Sequence, residues 1–120
     1  MDSQVQTKFK HAEEYLVKAK NELFKPEEDV VPYSVCQSAY RSIVHNLSGF
    51  LLQHNKYLPE EIKVQPLLES CRALDSKFND LHLAPLYHPK ESEDVWMNLD
   101  AAQDFLSMAE KTRQLVKQSI

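Results

Sequence analysis

The chain contains a single glycine, Gly49, among its 120 residues. Tight hairpin turns and phosphate-binding loops need residues that tolerate positive φ angles, and glycine adopts them without steric cost. A β-rich fold is therefore disfavoured. One glycine also cannot supply G-x-x-x-x-G-K-[ST] or G-x-G-x-x-G, so the standard forms of both phosphate-cradling loops are excluded.

Apolar residues recur in four segments at the spacing of amphipathic helices, each of which buries one stripe. The predicted helices cover residues 3–24, 34–55, 66–81 and, from a cap at Asn98 or Asp100, almost the rest of the chain. Ser34 is expected to cap the second helix, and Pro66 to lie in the first turn of the third. The stripes predict an all-α, up-and-down four-helix bundle, with one domain over residues 1–120 and room for a short extra helix in the 82–97 connection.

Gly49 lies inside the second predicted helix, where glycine costs about 1 kcal/mol relative to alanine. This helix also carries the strongest apolar pattern of the chain. Close packing of a neighbouring helix would compensate for the glycine. We therefore expect Ser48 and Gly49 to mark a helix crossing.

Composition and charge narrow the compartment and the partners. No stretch approaches the roughly 18 uninterrupted apolar residues of a membrane helix, and the first residues lack the apolar core of a signal peptide. Cys36 and Cys71 fall among apolar residues of helical pattern, where free thiols behave as small buried hydrophobes. We expect a reduced, cytoplasmic protein outside the membrane. Its net charge of −4 disfavours nucleic-acid binding except through a local patch.

The common metal-binding patterns do not occur in the sequence. It holds no H-E-x-x-H, no C-x-x-C and no Glu followed three residues later by His. His82 and His88 share a long connection with several carboxylates, and imidazole together with carboxylate binds divalent ions. They are only weak candidate ligands, because nothing in the sequence fixes their geometry. We predict neither a metal nor another cofactor.

The best polar constellation lies on the second predicted helix. Arg41 and His45 are four residues apart and share one face, and Ser38 and Ser48 fall on the same strip. A guanidinium can stabilise a phosphate, and an imidazole can shuttle protons near neutral pH. Three interpretations stay open: a ligand or partner contact, a weak candidate catalytic pair, or a polar helix face with a satisfied histidine.

Aromatic side chains offer a second route to a nucleotide, because their faces stack on any base. Tyr40 adjoins Arg41 and joins the candidate ligand-binding residues, with the edge of the core as its alternative place. Tyr87 and Trp96 lie in the long connection. They either stack on a base or are buried where that connection packs over the end of the bundle.

Three segments resemble the HEPN family over most of the chain. They are the second helix, SVCQSAYRSIVHNLSGFLLQHN, the third, PLLESCRALDSKF, and the terminal AAQDFLSMAEKTRQLVKQ. That family consists of helical bundles found beside minimal nucleotidyltransferases or within larger defence and stress proteins. The resemblance implies a homodimer with a nucleotidyltransferase partner, in a toxin–antitoxin-like pair, and a nucleotide as ligand.

HEPN ribonucleases carry an arginine and a histidine separated by four to six residues. In this sequence three residues separate Arg41 from His45, and nine separate Arg72 from His82. The resemblance therefore implies a non-catalytic module that binds a nucleotide or a partner protein through the Arg41 and His45 face or the 82–97 connection. The alternatives are a metal-independent ribonuclease that uses Arg41 and His45, and a plain protein–protein adaptor.

Overall fold

The computed structural model describes residues 3–87 and 95–118, and the regular structure in these ranges is entirely helical. Four α-helices follow one another: α1 (Ser3–Leu23), α2 (Pro32–Gln53), α3 (Val64–Leu74) and α4 (Leu99–Gln118). Short 3₁₀ turns lie between them at Glu27–Asp29, Ser76–Asp80, Ala84–Leu86 and Val95–Met97. The predicted all-α helical bundle is confirmed, and within the 82–97 connection the described residues form 3₁₀ turns at Ala84–Leu86 and Val95–Met97.

Local chemistry explains both ends of α2. The helix begins at Pro32, ahead of the predicted cap at Ser34, because proline fits the first turn of a helix. At the other end Asn55 adopts a φ of 59°, and the Lys56 N–H donates to the Leu51 carbonyl at 3.0 Å. This is a Schellman ending, in which asparagine takes the left-handed position that glycine usually fills.

The boundaries of α3 and α4 show one wrong prediction and one confirmed one. α3 stops well short of the predicted range 66–81, because Asp75 is extended and its carboxylate accepts a hydrogen bond from the Lys77 N–H at 2.9 Å. The chain continues as a 3₁₀ turn instead. α4 begins as predicted, since Asn98 Oδ1 accepts the Asp100 N–H at 2.7 Å.

α2 is the central helix, and α1 runs antiparallel to it. The Ser42 hydroxyl donates to the Ala12 carbonyl at 2.8 Å, while further along α2 Gly49 lies against Phe9. Later residues of α2 therefore meet earlier residues of α1. Ser42 is fully buried, so this hydrogen bond satisfies its hydroxyl away from water.

α3 runs parallel to α2. The Val64 backbone, at the start of α3, forms a hydrogen bond with Tyr40. Near the end of α3, Cys71 Sγ lies 3.7 Å from the Leu47 carbonyl oxygen. The chain therefore returns along the bundle between the two helices, and an extended connection of this length can reach about 30 Å.

α4 also runs parallel to α2. Trp96, just before α4, contacts the Tyr40 ring at a centroid distance of 5.8 Å, whereas Val116 near the end of α4 lines the same cavity as Asn46. An up-and-down bundle places α2 and α4 parallel to each other and antiparallel to α1, so the predicted alternation holds for α1, α2 and α4. It is wrong for α3, which runs parallel to α2 instead of antiparallel to it. The connections on either side of α3 are long enough to bring the chain back to the same end.

The connection from α3 to α4 contributes to the core. Its buried side chains are Leu81, Leu83, Leu86 and Trp96. Only 5% of Trp96 is exposed, and its ring contacts those of Tyr33, Tyr40 and Phe105. Tyr87 packs against the same cluster and is partly buried. The described part of the connection therefore packs over the bundle, and Trp96 is a core residue.

Arg72 ties this connection to α3. Its Nε donates to the Phe78 carbonyl at 3.2 Å, and its Nη2 donates to the Leu81 carbonyl at 2.7 Å. From α4, Lys111 Nζ donates to the Asp80 carbonyl at 2.9 Å. The guanidinium of Arg72 therefore serves the fold, and it does not pair with His82.

Both cysteines are buried free thiols, as predicted. Burial raises the pKa of Cys36 and of Cys71 to about 12, so both are protonated near neutral pH and have little nucleophilic character. Within the described ranges, none of the helices combines the length and apolar character needed to cross a membrane.

Gly49 lies where α2 packs against α1. A Cβ atom built on it would lie 2.8 Å from Phe9 Cε1, well inside the optimum of about 3.5–4.0 Å for carbon atoms in contact. The Phe9 ring thus fills the space that a side chain would need. The expected helix crossing is confirmed, and Ser48 is buried beside it.

We expect Gly49→Ala to lower the free energy of unfolding by about 1 kcal/mol, as measured by urea denaturation. Overpacking typically costs about 1–3 kcal/mol, which exceeds the gain of about 1 kcal/mol in helix propensity. In a Phe9→Leu background the clash should be relieved, and Gly49→Ala should no longer destabilise. An equal loss in both backgrounds would contradict the proposed contact.

Candidate functional site

Arg41 and His45 face α1, where both meet the ring of Tyr15. The His45 imidazole stacks on Tyr15 with a centroid distance of 5.5 Å and an interplanar angle of 14°. The Arg41 guanidinium carbon lies 5.6 Å from the same ring centroid. His11 meets His45 edge to face, at a centroid distance of 5.4 Å. A pair of residues four apart on α1 therefore interlocks with a similar pair on α2.

The antiparallel register of α1 and α2 produces this arrangement. Ser42 adjoins Arg41, and its hydrogen bond to Ala12 fixes which residues of the two helices lie opposite each other. Tyr15 then lies opposite Arg41, and His11 opposite His45. Lys18, one turn beyond Tyr15, places its ammonium 5.8 Å from the Tyr15 ring centroid. We call His11, Tyr15, Lys18, Arg41 and His45 the α1–α2 cluster.

A small cavity opens beside the α1–α2 cluster. It has a volume of about 160 Å³ and is lined by His11, Glu14, Tyr15 and Lys18. Arg41 and Lys18 are exposed, whereas His11, Tyr15 and His45 are partly buried. The cluster is therefore open to solvent on its cationic side.

The cluster is electrostatically positive on a chain whose net charge is −4. Four ion pairs occur in the described part of the chain: Lys20 with Glu110, Lys25 with Glu22, Lys63 with Glu61, and Arg113 with Glu13. Among the described residues, none of these pairs places a carboxylate on Arg41 or Lys18. Glu14 lines the cavity beside them and carries a negative charge. The two permanent cations of the cluster therefore carry charge that an anion can neutralise.

His45 is held in its neutral form. Burial lowers its pKa below the ordinary value of 6.5, and charges on Lys8, His11 and Arg41 lower it further. Its Nδ1 atom is buried without a hydrogen-bond partner among the described residues. A protonated ring would bury an N–H group there with no acceptor, which adds to the cost of protonation. His45 is therefore neutral near neutral pH, and because its protonation is unfavourable it is poorly suited to act as a general acid.

Of the other predicted ligand-binding residues, one borders the cluster and one does not. Tyr40 points away from the cluster, towards α3 and Trp96, and burial raises its pKa. Ser38 lies one turn before Arg41 and is half-buried, so it borders the cluster. Ser48, predicted on the same strip, is completely buried. The predicted polar strip therefore ends at His45.

The weak candidate metal ligands do not form a centre in the part of the chain that the structure describes. His82 is exposed, and His88 lies outside the described residues. No group of three or more His, Cys, Asp or Glu side chains there is placed to hold a metal ion.

Sequence reasoning missed the contributions of α1. Its charged face, which includes Lys8 and Lys18, is typical of a solvated surface. His11 and Tyr15 have the same spacing of four as Arg41 and His45. That spacing is the signal in the sequence, but it has meaning only once the register of α1 against α2 is known.

Comparison with known proteins gives no match: no protein family, curated protein or solved structure is significantly similar to this chain. The HEPN resemblance therefore stays a prediction. The functional argument depends on the geometry of the chain itself.

The lowered pKa of His45 predicts that the free energy of unfolding falls as the pH drops below 6.5. The unfolded chain takes up a proton on this histidine near its ordinary pKa, whereas the folded protein does so only at lower pH. His45→Gln should reduce the loss of thermal stability between roughly pH 7.5 and 5.5. His82→Gln, at an exposed histidine, is the control and should leave the loss unchanged. An unaltered pH dependence in His45→Gln would rule out the assigned role of His45.

Proposed function

We propose that this protein is a non-catalytic helical module that binds a nucleotide through its phosphate at the α1–α2 cluster. The observation that supports the proposal is the gathering of Lys18 and Arg41 around Tyr15, with no ion pair to a carboxylate among the described residues. Guanidinium and ammonium groups in this state bind phosphate oxygens by charge-assisted hydrogen bonds. His45 stacks on the same Tyr15 ring and meets His11 edge to face.

The chemistry of His45 favours binding over acid–base catalysis. Cleavage of RNA without a metal needs both a proton acceptor and a proton donor. Neutral His45 has the protonation state that a proton acceptor needs, and Arg41 beside it can stabilise the negative charge of a transition state. This pair keeps a metal-independent ribonuclease as the second candidate. The described part of the cluster offers His11 as the other imidazole, while no carboxylate orients either ring by an ion pair.

The nucleotide proposal predicts that AMP or ADP raises the melting temperature of the protein. A ligand that binds only the native state adds about 2.7 kcal/mol of stability at 100 times its Kd. Arg41→Gln and Lys18→Gln should each weaken binding about tenfold, as expected for loss of a hydrogen bond to a charged group. Lys56→Gln removes a similar exposed charge beyond the end of α2 and is the matched control.

Two experimental results would each contradict this proposal. If no nucleotide raises the melting temperature of the wild-type protein, the plain adaptor bundle is the remaining function. Cleavage of labelled RNA that His45→Ala abolishes would favour the ribonuclease. His82→Ala serves as the control in that assay, because His82 is exposed and lies outside the α1–α2 cluster.

We also propose a homodimer, formed through an apolar cavity between α1 and α4. The cavity has a volume of about 410 Å³ and is lined by Lys20, Leu23, Phe24, Leu106 and Glu110. Phe24 is 85% exposed, so its ring can enter the same cavity of a second copy related by a two-fold axis. Lys20 and Glu110 form an ion pair with each other on this surface, at 3.6 Å, so a second copy would meet balanced charges there. A nucleotidyltransferase partner, implied by the HEPN resemblance, stays a prediction.

Phe24→Ser should convert the dimer to a monomer, as measured by light scattering coupled to size-exclusion chromatography. The physical reason is the loss of the apolar side chain that fills the cavity of the partner. Tyr57→Ser is the control, because Tyr57 is 97% exposed and lies outside this cavity. A wild-type protein that is monomeric, or a Phe24→Ser protein that is still a dimer, would exclude this interface.

A further inference from the structure

We propose that the α1–α2 cluster recognises the phosphate monoester dianion itself and does not read the base of a nucleotide. The inference rests on the proposed function and names the part of the ligand that is bound. Three observations carry it: the size of the cavity, the cations of the α1–α2 cluster and the positions of the aromatic rings.

The size of the cavity suits a phosphate group. Its volume is about 160 Å³, whereas pockets that enclose whole small-molecule ligands measure roughly 300–1,000 Å³. A phosphate fits into such a space, with the remainder of its molecule directed to solvent. The cavity can therefore select the group at the end of a ligand, but it cannot enclose a nucleoside.

The cations of the α1–α2 cluster favour two negative charges over one. Lys18 and Arg41 both lie within 6 Å of the Tyr15 ring centroid, at 5.8 and 5.6 Å. Coulomb attraction to such a set doubles when the ligand carries two charges instead of one. Glu14 also lines the cavity and repels an anion, so the preference for a dianion requires that Lys18 and Arg41 together outweigh this single negative charge.

The aromatic rings leave no stacking platform for a base at this site. The ring of Tyr15 is already in contact with His45, Arg41 and Lys18. Tyr40 and Trp96 contact each other on the side of α2 that faces α3 and α4. Base stacking supplies about 1–3 kcal/mol per base where an aromatic face is offered. Without such a face, removal of the base should leave the affinity almost unchanged.

Isothermal titration calorimetry with four small ligands tests the inference at about pH 8, where a phosphate monoester with a second pKa near 6 is a dianion. The ligands are AMP, ribose 5-phosphate, 3′,5′-cyclic AMP and adenosine. Ribose 5-phosphate keeps the monoester and lacks the base, whereas cyclic AMP keeps the base and carries a singly charged diester. We expect Kd values for AMP and ribose 5-phosphate within about threefold of each other, cyclic AMP at least about tenfold weaker, and no binding of adenosine.

Each other outcome has a distinct meaning. AMP that binds more than about tenfold tighter than ribose 5-phosphate, or cyclic AMP that binds as well as AMP, would overturn this inference and leave nucleotide binding intact. No binding of any phosphate ligand would overturn the proposed function as well. Arg41→Gln should weaken AMP and ribose 5-phosphate by the same factor, and Lys56→Gln should weaken neither. If Arg41→Gln weakens the two ligands by different factors, Arg41 contacts more of AMP than its phosphate.

Discussion

The packing of α1 against α2 is the constraint on which the rest of the structure depends. Gly49 admits the Phe9 ring, and the buried hydrogen bond from Ser42 to Ala12 sets the register. These two contacts lie on the inner face of the helix pair. They nevertheless determine the outer face, because a helix is rigid and its residues repeat every 3.6 positions. The α1–α2 cluster is therefore a consequence of core packing.

The cations of the cluster lie close together, and water keeps the electrostatic free energy of their repulsion small. Like charges repel, but exposed side chains are screened by solvent and salt within about 10 Å. Lys18 and Arg41 are exposed and lie over an aromatic ring, whose face attracts cations. His45 is less exposed, and its lowered pKa keeps it neutral, so it adds no further positive charge to the cluster. The arrangement is thus tolerable in the free protein and becomes favourable when an anion binds.

The sequence predicts the parts of this protein better than their arrangement. Apolar spacing and the scarcity of glycine predict the helices, and Asn98 predicts the start of α4, because these signals are local. The break at Asp75 is also local, but a single aspartate has many other roles in helices. The direction of α3 is not encoded in its apolar stripe, since a stripe reads the same in either direction. The contribution of Tyr15 requires the register of two helices, which is a tertiary property.

The parallel course of α2, α3 and α4 has an electrical consequence. Each α-helix carries roughly half a positive charge at its N-terminus and half a negative charge at its C-terminus. In an alternating bundle these dipoles cancel in pairs, whereas here only α1 opposes the other three. The end where α2, α3 and α4 finish is therefore negative, and Arg72 and Lys117 lie in the last turns of α3 and α4, where positive charge is stabilised. The backbone polarises the molecule along its helices, independently of its formal charge.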